Sequence, residues 1–378
     1  MGGNTKAEAA AQKLHALTSL RFFAALFVVV YHSYWWTTPS TTSGHISTRM
    51  ASLGFLSVGF FFLLSGYILA MVYLRRERAL DRKSFFVARF ARIYPLYLLT
   101  LFSDVPEFIR HELQMGRGPN FVQAIKVALF NMVLLQAWKP SMRGLDNPNW
   151  SISVEAIFYL LFPFIGAILW RLRGRSLLLV AAAVWLTSEL GVYLVAPHVP
   201  ENVVKFNPLL HLGTFVLGIL LARWQTSRDS IDGGWTNRPA SAVIAFMLAI
   251  VAFVTLVAYL PRLPLGIVHD GLMAPAFMAV IWAFSTNGSW LARMLSVRWL
   301  VVLGEASFGL YLIHVVILHI FDDIDPALVH RIYPLYLFVC IGLSVVSFYW
   351  FETPLRTRII AAMKTRSRET RETASDAQ

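Results

Sequence analysis

Leu20-Arg21-Phe22-Phe23-Ala24-Ala25-Leu26-Phe27-Val28-Val29-Val30-Tyr31-His32 is an apolar run with a guanidinium at its start and an imidazole at its end. No side chain between Arg21 and His32 is charged at neutral pH. As a helix, eleven residues at about 100° each come within about 20° of three full turns, so Arg21 and His32 share a face about 16 Å apart. That separation is roughly half the hydrocarbon thickness of a bilayer. One side of one helix then carries a polar group at the membrane edge and another well inside.

The same character extends over all 378 residues, 57% of them apolar and only 14% charged. Soluble domains are about one quarter charged, and the mean hydropathy of +0.59 points to an integral membrane protein with several spans. A net charge of +12 suggests nucleic acid at first sight. The placement of the cations excludes that partner. They cluster between apolar runs, at Arg75, Arg76, Arg78, Arg82 and Lys83, at Arg171, Arg173 and Arg175, and at Arg356, Arg358, Lys364, Arg366 and Arg368. Cations at span ends mark the cytoplasmic side. The single cysteine, Cys340, excludes an intramolecular disulfide. The N-terminus imitates a signal peptide, with Lys6 and Lys13 before an apolar core. That core is as long as a span, however, and no small-x-small site follows Tyr34-Trp35-Trp36, so it reads as a retained first helix. Gly2 fails as a myristoylation site because the sixth residue is Lys6.

Apolar runs near span length fall at about 17–36, 53–74, 84–103, 150–170, 176–195, 208–224, 240–259, 266–285, 298–320 and 333–352. None alternates as barrel strands do, and helix is the remaining structure that satisfies its backbone in lipid. An eleventh run, 121–138, carries Gln123, Lys126, Asn131 and Gln136. If it spanned, the cations at 171–175 and after Arg356 would fall outside; if it does not, both return to the cytoplasm. The expectation is an all-α polytopic bundle of ten transmembrane helices, both termini cytoplasmic, with 121–138 re-entrant or interfacial. Residues 1–13 form a cytoplasmic tail, 14–358 the membrane domain, and 359–378 a basic, disordered cytoplasmic tail. No internal repeat, inverted symmetry or second soluble domain is evident.

Charged groups inside spans cost about 2.5–3.5 kcal/mol each on insertion scales and so mark candidate sites. Arg21 is either a snorkelling anchor or an anion ligand, and His32 either an interfacial histidine or a proton exchanger near neutral pH. Arg89 and Arg92 are three apart and face one way. They serve as positive-inside anchors or as bidentate ligands for a phosphorylated compound from the cytoplasm. Since Arg75 to Lys83 already anchor this end, the second reading is favoured. In Asn147-Pro148-Asn149-Trp150-Ser151-Ile152-Ser153-Val154-Glu155, Trp150 sits at the outer interface and Ser151 caps the next helix. Glu155 lies one turn into the span and needs a partner, a histidine being the obvious one; the alternative is a charge favoured by the helix dipole. In Leu303-Gly304-Glu305-Ala306-Ser307-Phe308-Gly309-Leu310-Tyr311-Leu312-Ile313-His314, His314 shares a face with Ser307 and not with Glu305. It is either an interhelical hydrogen-bonding group or part of a site. Ser57 to Tyr67, rich in aromatic and small residues, reads as close helix packing. Glu352 ends the last span. There is no HExxH, cysteine cluster, Walker loop, GxGxxG or GxSxG motif, so no metal site is expected.

Taken in order, these segments resemble the membrane-bound acyltransferase-3 family. The resemblance rests on Arg21-x10-His32, the Phe-rich run ending Leu64-Ser65-Gly66, and Arg89-x-x-Arg92 followed by Ile93-Tyr94-Pro95. It continues in Trp150-Ser151-x-Ser153-x-Glu155 with Phe158, Tyr159 and Pro163, in Leu303-Gly304 to His314, and in Glu352-x-Pro354. It covers residues 14 to 358 and is closest to the stand-alone branch, without an SGNH hydrolase domain. It implies an O-acyltransferase with no bound cofactor. The implied donor is cytoplasmic acyl-coenzyme A, most simply acetyl-coenzyme A, and the acceptor a hydroxyl of a saccharide or lipid-linked glycan. A secondary metabolite such as a macrolide is the alternative acceptor, and a polytopic transporter the rival class. The implied setting is the bacterial inner membrane. Arg21, Arg89 and Arg92 would bind the donor. His32 would act as general base, or pass through an acyl-histidine, with Glu155 orienting it. Trp150, Ser153, Tyr311 and His314 are candidate acceptor or support residues.

Overall fold

A computed structural model describes residues 2–37, 53–74, 80–114, 121–143, 147–229, 239–259, 263, 270–286, 290–325 and 331–376. Of the readings above, Arg75, Arg76, Arg78 and the side chains of residues 34–36 lie outside it.

The described residues are helical nearly throughout. Helix α1 is Gly2–Thr37. A 3-10 turn, Leu53–Phe55, leads into α2, Leu56–Leu69, which ends in a π-helical turn, Ala70–Leu74. Asp81 caps α3, Arg82–Ser103, by accepting from the Ser84 amide at 3.2 Å. Short helices α4, Val105–Gln114, and α5, Phe121–Met132, follow. Next come α6, Trp150–Leu169; α7, Arg175–Val195; α8, Glu201–Phe206; α9, Pro208–Asp229; and α10, Pro239–Tyr259. The chain closes with α11, Ala274–Ser285; α12, Trp290–Leu295; α13, Arg298–Ile324; α14, Tyr333–Ser347; and α15, Thr353–Asp376, the last two joined by a π turn, Phe348–Glu352. Helix therefore continues through 359–376, where polarity alone suggested disorder. Ala361, Ala362 and the long charged side chains beyond them are intrinsically good helix formers.

Among the described residues nine helices are long and apolar enough to span a membrane. Of the run at 266–285, residues 266–269 lie outside the described residues, and the rest includes the shorter apolar helix Gly271–Ser285. Its ends are fixed by polar contacts. Trp185 Nε1, in the middle of α7, donates to Gly271 O at 2.9 Å, and Gln225, near the end of α9, donates to Ser285 O at 3.0 Å. Tyr67 of α2 donates to the same Gln225.

The segment 121–138 does not span. Helix α5 has 12 residues, about 18 Å of rise against a hydrocarbon core of about 30 Å. The polar residues that set it apart are also what hold it. Buried Asn131 donates to Val127 O at 2.8 Å and Met142 O at 2.9 Å, and Tyr97 donates to Asn131 O at 2.6 Å. Buried Gln136 donates to Tyr97 Oη at 3.2 Å and to Asn149 O at 3.0 Å. Leu134, at φ 59°, turns the chain back in the left-handed region. The basic clusters meet at the opposite end of the bundle. Arg82 stacks on Phe164 at 4.9 Å, and Arg223 Nε donates to Leu172 O at 3.0 Å, beside Arg171 and Arg173.

Two helix pairs set the spacing. Helices α2 and α9 touch backbone to backbone: a Cβ on Gly66 would lie 2.1 Å from Phe215 O, and one on Gly218 would lie 2.0 Å from Leu63 O. Helices α1 and α13 meet where Gly304 presses on Thr18 O, 2.1 Å from a built Cβ. By contrast Gly191, on α7, has open space around it. Gly218→Ala is expected to destabilise the bundle by about 1–3 kcal/mol through overpacking, lowering the thermal midpoint of the detergent-solubilised protein. Gly191→Ala is expected to leave it unchanged or slightly raised. Equal midpoints for the two variants would contradict the packing.

Candidate active site

Three of the sequence-predicted cations converge. Arg21 from α1 and Arg89 and Arg92 from α3 line one pocket, with Glu155 and Tyr159 of α6 and Ser307 and Tyr311 of α13. Its apolar wall is one face of α2, from Val58 to Leu69, a rise of about 16 Å. Arg89 Nη2 donates to Tyr73 Oη at 3.2 Å, and its guanidinium lies over the rings of Tyr73 and Tyr159. Its Nε is buried without a partner. Neither Arg21 nor Arg92 forms a hydrogen bond or ion pair among the described residues. Three guanidiniums against one carboxylate leave the lining two charges positive. In a low-dielectric interior that excess draws an anion strongly.

Glu155 is half-buried and engaged by neutral donors. Ser65 Oγ donates to its Oε1 at 3.0 Å, and the Tyr159 hydroxyl donates to the same oxygen. Tyr159 is four residues on, on the same helix face, and is the partner that spacing alone identifies. Ser65, read from sequence as a packing residue, has this second role.

His32 has a different partner from the one expected. Its Nδ1 lies 3.1 Å from Nε2 of His314, and the ring centroids are 5.1 Å apart. His314 is wholly buried. Tyr336 donates to His314 O at 3.1 Å, and Ser33 shares a 2.9 Å hydrogen bond with Tyr333. Between this pair and the pocket stands Tyr311, which donates to Pro148 O at 2.9 Å and lies 2.6 Å from Ser151 Oγ. Ser151 Oγ donates to the same carbonyl at 3.2 Å, so the two hydroxyls and Pro148 O form one three-way tie. Phe61 packs edge-on against Tyr311 at 6.1 Å. His314 is three residues beyond Tyr311, and Glu155 is four residues deeper than Ser151. The histidine pair and the carboxylate therefore stand on opposite sides of the Tyr311 tie, roughly 10 Å apart along the bundle.

The remaining candidates face elsewhere. Ser153 is buried, donates to Leu134 O at 2.5 Å and accepts from the Ala137 amide at 3.4 Å, so it anchors the re-entrant turn. Trp150 packs against Phe62, Phe206 and His211. Nearby, Arg143 lies over the Phe206 ring at 3.4 Å. Burial lowers its pKa to about 10, which keeps it charged at neutral pH.

A multi-pass helical bundle holding a cationic pocket and a histidine pair is a membrane protein equipped for chemistry. Residues 14–352 match the family described as an acyltransferase domain, and the chain belongs to that family. It is an acyltransferase, not a permease. Acyltransferase MdmB of Streptomyces mycarofaciens is 30% identical over 326 residues, covering 81% of this chain and 79% of that protein. Peptidoglycan O-acetyltransferase OatA of Listeria monocytogenes is 25% identical over 365 residues, 90% of this chain and 55% of that one. O-acetyltransferase OatA of Staphylococcus aureus is 24% identical over 368 residues, 91% and 57% respectively. The chain thus spans about half the length of these two O-acetyltransferases. No solved structure matches.

Tyr311→Phe removes the hydroxyl that ties α13 to the start of α6 and leaves the buried Pro148 carbonyl with Ser151 alone. The expected cost is about 1–3 kcal/mol, read as a lower thermal midpoint in detergent. An unchanged midpoint would show that the tie contributes nothing.

Proposed function

We propose that this protein moves an acyl group, acetyl in the simplest case, from acyl-coenzyme A to a saccharide hydroxyl on the far side of a bacterial cytoplasmic membrane, with both of its termini in the cytoplasm. The observation that carries the reading is the pocket itself. It joins three converging guanidiniums, two without protein partners, to an apolar wall that leads towards the histidine pair. Guanidiniums bind phosphate bidentately, and the apolar wall suits an extended thioester arm. The charge rule favours the basic end of the bundle as the cytoplasmic one, which supports a donor site at the arginines.

In this reading His32 is the general base. The acceptor hydroxyl approaches from the end of the bundle that holds Pro148 and Trp150. As its oxygen bonds to the acyl carbon, its proton passes to His32. The thioester C–S bond breaks, and the departing thiolate takes that proton. Glu155, held by Ser65 and Tyr159, lies on the donor side of Tyr311. Its role there is to limit the positive excess around the phosphates and to orient the arginines.

Two measurements test this in purified, reconstituted protein. His32→Ala is expected to abolish transfer from radiolabelled acetyl-coenzyme A while leaving coenzyme A binding intact; retained transfer would remove His32 from the mechanism. Arg89→Ala with Arg92→Ala is expected to weaken coenzyme A binding about 10²-fold, from about 3 kcal/mol of charge-assisted hydrogen bonds. Unchanged binding would place the donor elsewhere. Mass spectrometry of surface glycans and small metabolites from a deletion strain then identifies the acceptor.

A further inference from the structure

We propose that His314 is the positioning residue that holds His32 in its base-competent tautomer and shares the proton His32 accepts; this rests on His32 being the general base. The argument follows the proton positions around the two rings. His314 Nδ1 is 3.2 Å from Leu310 O, and His32 Nδ1 is 3.1 Å from Val28 O. A carbonyl only accepts, so each Nδ1 carries hydrogen. His314 Nε2 is then a bare lone pair, and the single His32 Nδ1–H is shared between it and Val28 O, each at 3.1 Å, as a three-centre hydrogen bond. The remaining nitrogen, His32 Nε2, is unprotonated and makes no hydrogen bond within the protein among the described residues. Two backbone carbonyls, each one turn back on its own helix, thus orient two imidazoles head to tail and leave one basic nitrogen available.

The orienting partner here is a second imidazole, not a carboxylate. A carboxylate would place a permanent charge in the membrane interior, whereas an imidazole is neutral until the reaction delivers a proton. When Nε2 of His32 takes the hydroxyl proton, the Nδ1 proton is drawn towards His314 Nε2 and the positive charge spreads over both rings. When the thiolate leaves, the proton is returned from His32 Nε2 and both rings revert to neutral. Among the described residues no charged side chain contacts the pair. Tyr31 and Tyr311 face it, and Tyr333 and Tyr336 of α14 contact it through Ser33 and the His314 carbonyl. His319, one turn further along α13, is held by Asp104 at 2.7 Å.

The test compares two amides at position 314 in reconstituted protein. Gln places an oxygen near the former Nε2 and can still accept from His32; Asn is too short to reach it. His314→Asn is expected to lower kcat about 10²-fold, with KM for acetyl-coenzyme A changed less than about threefold. His314→Gln is expected to recover kcat to within about tenfold of the wild type. Because Gln cannot take the proton, the acid limb of its kcat/KM profile is expected to move to lower pH. The proposal is overturned if both variants keep wild-type kcat and an unshifted profile. It is equally overturned if both lose activity to the same extent with lowered thermal midpoints, which is the mark of a packing role. A dead His32→Ala beside unaffected His314 variants sinks only the pairing; an active His32→Ala removes the base itself.

Discussion

The contact on which the interior depends is the one between α1 and α13, where Gly304 rests directly on the carbonyl of Thr18. Any side chain at 304 would force the two helices apart. With them together and parallel, the register is fixed. Three residues beyond the contact, Arg21 and Ser307 face the same pocket. Further along, fourteen residues beyond Thr18 and ten beyond Gly304, His32 meets His314. Both ends of the site are read from one helix pair, so an error in that contact would misplace both at once. The neighbouring α2 and α9, locked by their own glycine contacts, supply the apolar wall.

Much of the fold was legible because a bilayer leaves few choices. Span-length apolar runs become helices because little else satisfies the backbone in lipid. The polar residues of 121–138 were enough to keep it from spanning, and Asn131 and Gln136 turned out to be its buried fasteners. Of the eighth run only Asp270–Ser285 lies among the described residues; there it forms a short helix whose backbone oxygens are bonded by Trp185 and Gln225 from other helices.

The site was legible in part, for a physical reason. Arg21, Arg89, Arg92 and Glu155 were detectable singly, since each is costly in a membrane, and the fold gathers them. The pairing of His32 was not, because spacing along one helix says nothing about azimuth on another. Glu155 resembled the natural partner by charge, but it lies one layer deeper, satisfied by two hydroxyls. Ser153 shared a motif with it, yet the helix turns Ser153 towards the re-entrant loop, where it accepts and donates to backbone.

A pocket that runs deep into a membrane bundle thins the barrier the bundle presents, and here what remains is slight. Tyr311, fixed to Pro148 and Ser151 and backed by Phe61, is the only layer described between the cationic pocket and the histidines. The layer can move only by breaking hydrogen bonds that also anchor the start of α6, so displacing it would loosen the helix that carries Glu155.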